Sequence, residues 1–96
     1  MSYRIRAVDA NQPEIVKAAR SVGAFVIILS TLGHGVPDIL VVFRGQYWLM
    51  ELKVGKEGLT DDEKKFAASC PVPVHIIRSK EDLFILIGAT PYNLTP

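Results

Sequence analysis

The stretch from Gly35 to Gly55, "GVPDILVVFRGQYWLMELKVG", constrains the fold more than any other part of the chain. Two apolar runs, "DILVVF" and "QYWLMELKV", flank Arg44-Gly45, so they read as two strands of a tight hairpin. Side chains alternate faces along a strand. Glu51 and Lys53 therefore share one face, and Trp48, Met50, Leu52 and Val54 share the other. With a two-residue loop Phe43 lies opposite Gln46, and counting back along both strands puts Asp38 opposite Glu51. A four-residue loop gives the same register, whereas a three-residue loop without a bulge would set Asp38 opposite Leu52.

Directly opposed side chains have Cβ atoms roughly 4.5–5.5 Å apart. Two carboxylates at that spacing in an apolar sheet repel each other and lose hydration, and something must offset that cost. A shared proton, neutralisation by Lys53 or a divalent cation would each do so. Convergent oxygens suit the cation, and Mg²⁺ takes one or two carboxylates while filling its other positions with water and phosphate oxygens. Such a site polarises a phosphodiester and activates water, with Lys53 placed to orient that water or bind phosphate. The plain alternative is a solvated strand face at Glu51 and Lys53, with Asp38 as a loop residue.

The rest of the chain supplies an α/β frame. "NQPEIVKAARSVG" reads as a helix with Asn11 as cap, Pro13 in the first turn, a buried stripe of Ile15, Ala18, Ala19 and Val22, and Gly23 as stop. "AFVIILS" reads as a buried strand, "TLGHGVP" as a loop. "LTDDEKKFAASC" is a second helix, with a capping box of Thr60 and Glu63 and three acids at its positive end. "VPVHIIRS" is a further strand, and "SKEDLFILIG" a last helix between Ser79 and Gly88. The opening "YRIRAV" alternates as a short strand would. The order helix, three strands, helix, strand, helix predicts a mixed central β-sheet flanked by helices.

Composition narrows the function classes. Ninety-six residues predict a single domain, 1–96. An apolar fraction of 49 % excludes a disordered chain and leaves more hydrophobic surface than a small monomer easily hides, which favours a dimer. Eleven basic and ten acidic residues leave a net charge of +1, so positive charge for a nucleic-acid partner must be local or come from a bound cation. The single Cys70 excludes an internal disulfide framework, and no Cys/His cluster has zinc spacing. No apolar run is long enough for a bilayer, and the N-terminus lacks the apolar core of a signal peptide, so the expected location is cytoplasmic. No motif calls for an organic cofactor.

At "GVPDIL", "MELKVG" and "GLTDDEKKF" the sequence resembles the PD-(D/E)xK nuclease superfamily, and within it the stand-alone virus-type replication-repair nuclease (VRR-NUC) domain. The resemblance runs from about Glu14 to Ser79. It implies a restriction-endonuclease-like fold and Mg²⁺- or Mn²⁺-dependent hydrolysis of DNA phosphodiesters. Asp38 and Glu51 would be metal ligands with the backbone carbonyl of Leu52, and Lys53 the catalytic lysine. Glu14 matches the acidic residue of the first helix, which can also reach the metal. Its spacing from Asn11 fits a capping box equally. Small stand-alone members, typically viral or bacterial, act as homodimers on four-way junctions, so the expected substrate is branched DNA and the expected activity Holliday junction resolution. A monomeric flap- or nick-directed nuclease and a non-catalytic DNA-binding module on the same fold are the alternatives.

The family often carries a glutamine where this chain has Glu63. An ionised carboxylate accepts hydrogen bonds but donates none, so Glu63 is read as a helix cap outside the core site. His34, Lys56, Lys64 and Lys65 flank the proposed site as candidate DNA contacts, as do Arg44 and Arg78, because phosphate contacts dominate DNA affinity. His75, Phe66 and "FILI" read as strand or core residues.

Overall fold

The computed structural model describes residues 11–89. The strand expected at "YRIRAV" lies outside them. The described elements are α1 (Gln12–Ser21), β1 (Phe25–Ile28), β2 (Ile39–Phe43), β3 (Gln46–Leu52), α2 (Asp61–Ser69), β4 (Val74–Ile77) and α3 (Lys80–Ile87). The strands form one mixed sheet in the order β1-β2-β3-β4, with β1, β2 and β3 antiparallel and β4 parallel to β3. The parallel pair requires a crossover, and α2 lies within it.

Register follows the hairpin. Phe43 pairs with Gln46 and Ile39 with Met50, as a two-residue loop dictates. Arg44 and Gly45 both have positive φ, 53° and 79°, the backbone of a type I′ turn that matches strand twist. The Arg44 guanidinium lies 4.9 Å from the Phe43 ring centroid, so it stacks on its own turn.

One face of the sheet carries Val26, Ile39, Val41, Met50, Leu52 and Ile77, all buried. They pack with Ile15, Val16, Ala18 and Ala19 of α1 and with Leu83 and Ile87 of α3 in a single core. The helices that close it begin and end where the local chemistry stops the chain. Ser79 accepts from the Asp82 N–H at the start of α3, and Gly88 ends that helix in the left-handed conformation.

Two expectations change. Among the described residues "AFVIILS" forms an edge strand rather than a buried one: only Val26 of β1 is buried, and Phe25, Ile27 and Ile28 are exposed. Within that described sheet β1 pairs with β2 alone. Asn11 starts α1 without a side-chain cap bond, and its Nδ2 instead donates to the Lys53 carbonyl at 3.2 Å. The residue read as a cap ties α1 to the end of β3.

Candidate active site

Asp38 sits one residue before β2, Glu51 near the end of β3, and Lys53 one residue past it. The pairing continues beyond the ladder, because the Asp38 N–H donates to the Met50 carbonyl at 3.0 Å and the Asp38 carbonyl accepts from the Leu29 N–H at 2.8 Å. Asp38 therefore lies beside Glu51, as the register predicts. Asp38 Oδ2 accepts from the Leu52 N–H at 2.7 Å, which fixes its side chain across the end of β3. The Lys53 N–H donates to the Ile77 carbonyl of β4 at 3.1 Å. Asp38, Glu51 and Lys53 are 6 %, 2 % and 2 % exposed, so the plain reading of a solvated strand face is excluded.

Burial at this depth requires partners. Lys53 Nζ lies 2.8 Å from Glu63 Oε1 on α2. That oxygen also accepts from the Thr60 N–H at 2.8 Å, and the Glu63 N–H donates to Thr60 Oγ1 at 3.2 Å. The capping box expected from the sequence is thus complete, and Glu63 also reaches into the site. The sequence alone sets Glu63 outside the core site. The Glu51 carboxyl is hydrogen-bonded to Glu63 as well.

The two glutamates divide the charge unequally. Burial raises the Glu51 pKa from 4.5 to about 9, aided by the hydrogen bond to Glu63 and the negative charges of Asp38 and Glu63, with Lys53 opposing. Burial pushes Glu63 upward too. The hydrogen bonds from Glu51, Lys53 and the Thr60 backbone outweigh it, however, and its pKa falls below 4.5. At neutral pH the group therefore holds a proton on Glu51 and an ionised Glu63 paired with Lys53.

What brings α2 here is a close backbone approach. A Cβ built on Gly35 would overlap the backbone carbonyl of Asp62, and Gly35 has φ of +79°. Only glycine lets the "GVPD" loop pass this near the start of α2. Beside it His34 is exposed with φ of 57°.

Glu14 is not brought into this group. It lies on the exposed side of α1 and pairs loosely with Lys80 of α3 at 3.7 Å. Among the described residues no three His, Cys, Asp or Glu side chains form a ready metal cage. Lys56, Lys64 and Lys65 are exposed, in the segment after β3 and on α2. Arg78 Nη1 donates to the Gly55 carbonyl at 2.8 Å, holding the segment after β3 against β4.

No protein-family model matches the sequence. No curated protein matches it either. Among solved structures, a VRR_NUC domain superposes at a TM-score of 0.62 with 24 % sequence identity, covering 85 % of this chain and 95 % of that one. The chain has the VRR_NUC fold. This architecture is restriction-endonuclease-like. Within the VRR_NUC fold of this chain, Asp38, Glu51 and Lys53 gather where β2 begins and β3 ends, and the start of α2 closes over them.

Proposed function

We propose that this chain is a metal-dependent, structure-selective DNA endonuclease that resolves four-way junctions as a homodimer. The observation that carries the reading is the burial of Asp38, Glu51 and Lys53 together at the strand ends of a VRR_NUC fold. Evolution rarely keeps two neighbouring carboxyls dry without use, because their mutual repulsion and desolvation cost stability.

The donor set fits a hard cation. Asp38 and Glu51 offer carboxylate oxygens and Leu52 a backbone carbonyl, a set that suits Mg²⁺ or Mn²⁺ better than a soft metal. Lys53 is already paired with Glu63. A cation held here would offset the negative charges of Asp38 and Glu63 that, after burial, help raise the Glu51 pKa. When bound, the metal supplies positive charge to the phosphodiester and acidity to the attacking water. Asp38 and Glu51 fix where that charge sits. Lys53, on the same strand face as Glu51, would stabilise the negative charge that develops on the scissile phosphate. Lys56, Lys64, Lys65 and His34 are exposed on the segments next to the site in the chain and would track the DNA backbone.

Two copies follow from the reaction. Symmetric cuts in a four-way junction need two sites related by a two-fold axis, and this chain carries one. The sheet face opposite the core supports association: it presents Phe25 and Tyr47, 62 % and 58 % exposed, with Val42 between them in the strand pairing, exposed Ile27 in the next row, and no charged side chain in those rows. No helix of the described residues is long and apolar enough to cross a membrane.

The test is cleavage of an end-labelled four-way junction beside a linear duplex of the same arms, in Mn²⁺, with Glu51→Ala as control. Paired symmetric cuts in the junction alone, lost in the variant, are the expected result. Cuts in every substrate would keep the nuclease and remove junction selectivity. Unpaired cuts at flaps or nicks by a monomer would replace the resolvase. Binding without cutting would leave a DNA-binding module.

A further inference from the structure

We infer that Glu63 is a positioning residue for Lys53, so that the start of α2 is part of the proposed nuclease site rather than only a helix terminus. The inference rests on the functional reading above, but its geometry does not. A lysine on a four-carbon stem is a mobile point charge unless something fixes its ammonium group. Here one oxygen does so. Glu63 Oε1 accepts from Lys53 Nζ and from the Thr60 N–H, each at 2.8 Å. The second bond anchors the oxygen to backbone, so the lysine is held by the helix and not by a free side chain.

The packing of α2 points the same way. The helix buries none of its residues fully, and Phe66 is half-buried. Its first turn meets the loop before β2 at the Gly35–Asp62 approach and the end of β3 through the Lys53–Glu63 pair. A helix that contributes so little to the core, yet whose first turn hydrogen-bonds into the site through Glu63, acts as a clamp. In a preorganised site a misplacement of about 1 Å lowers the rate by as much as roughly 100-fold. Removing the clamp should therefore lower kcat and leave KM nearly unchanged.

A cap and a clamp are separable. Thr60→Ala removes the Thr60 Oγ1 end of the box but leaves the backbone N–H that holds Glu63 Oε1. Glu63→Ala removes both functions, and Glu63→Gln keeps the shape without the charge. The experiment has two readouts on wild type and these variants. The first is the Nζ resonance of Lys53 in lysine-labelled protein by NMR. The expected result is a slowly exchanging ammonium in wild type and Thr60→Ala, faster exchange in Glu63→Gln and loss of the signal in Glu63→Ala.

The second readout is junction cleavage in Mn²⁺, including Lys53→Ala and the Lys53→Ala/Glu63→Ala double variant. Glu63→Ala should lose kcat on the order of 10- to 100-fold, Thr60→Ala less than about 3-fold, and the double variant no more than Lys53→Ala alone. Equal kcat losses in Thr60→Ala and Glu63→Ala would reduce Glu63 to a cap and overturn the inference. So would a double variant that multiplies the two single losses, or an Nζ signal unchanged by Glu63→Ala and Glu63→Gln. If wild type cuts no DNA, the functional reading fails and the Nζ signal alone decides whether Glu63 holds Lys53.

Discussion

On one face of the sheet Ile39, Val41, Met50 and Leu52 are sealed by α1 and α3, with apolar contacts alone. On the other, Glu51 and Lys53 are as deeply buried, but what surrounds them is Asp38, Glu63 and a capped helix start. The same strand, β3, serves both because its side chains alternate. The first face stabilises the fold by excluding water. The second keeps charge out of water and relies on a small network to hold it there. Damage to the first should therefore cost folding free energy at any pH, and damage to the second should depend on charge and pH.

The largest effect belongs to the core. Ile39 is fully buried between its β1 and β3 partners Ile28 and Met50. Ile39→Ala should cost about 2–5 kcal/mol, measured as a fall in the urea midpoint with little dependence on pH. A loss under about 1 kcal/mol would mean that this face is not the one holding the fold together.

Next comes the loop that joins the two regions. Gly35→Ala puts a Cβ into the Asp62 carbonyl and forces a left-handed backbone on a residue that resists it. The expected cost is about 2 kcal/mol, with a fall in cleavage larger than the stability loss accounts for, since the start of α2 must move away from Lys53. Circular-dichroism melts beside cleavage rates check both parts. A destabilised protein with full activity would separate α2 from the site.

How much of this arrangement the sequence discloses depends on whether the forces are local. The hairpin register was legible because Arg44-Gly45 is a two-residue turn, and a turn fixes every pairing that follows. The Thr60–Glu63 box was legible for the same reason: its partners lie three residues apart. Asp38 beside Glu51 followed from register alone, and the buried faces confirm it. The exposure of β1 was not legible, since "AFVIILS" is apolar on both sides and only its edge position decides which side is covered. Nor was the second role of Glu63. A capping box satisfies the glutamate locally, and nothing along the chain says that a lysine arrives from the sheet. The available clue was Gly35, a glycine just before the site acid, whose reason is the close passage of α2. Asn11 misled in the opposite way: a good cap residue by type, it bonds instead to the Lys53 carbonyl, a partner distant in sequence.

A third effect should be a gain. Glu51 has a folded-state pKa of about 9 against 4.5 unfolded, so the folded state retains a proton that the unfolded state sheds above pH 4.5. The stability tied to that proton is full below pH 4.5, shrinks as pH rises, and is gone above about 9. Glu51→Gln does not ionise and escapes this decline. It should match wild type near pH 4 and exceed it at pH 8 by about 1–3 kcal/mol, read as a higher Tm in calorimetric scans at both pH values. If the proposed metal site holds, Mn²⁺ should stabilise wild type and narrow the gap. A Gln variant less stable than wild type at pH 8 would show that the network gains from Glu51 as it stands, and the contrast between the two faces would weaken.

The smallest effect concerns Glu14, which the family resemblance implies as a metal ligand and the structure sets on the surface. Its pair with Lys80 spans 3.7 Å with both side chains about half exposed, a geometry worth under roughly 0.5 kcal/mol. Glu14→Ala should accordingly leave the urea midpoint nearly unchanged. Its use lies in a second measurement on the same protein, calorimetric titration with Mn²⁺. If Asp38, Glu51 and the Leu52 carbonyl hold the ion by themselves, Glu14→Ala binds with wild-type affinity. If affinity falls by 10-fold or more, Glu14 must leave Lys80 and turn toward the ion on binding. In that case α1 would serve the site as well as the core, through a side chain that now faces away from it.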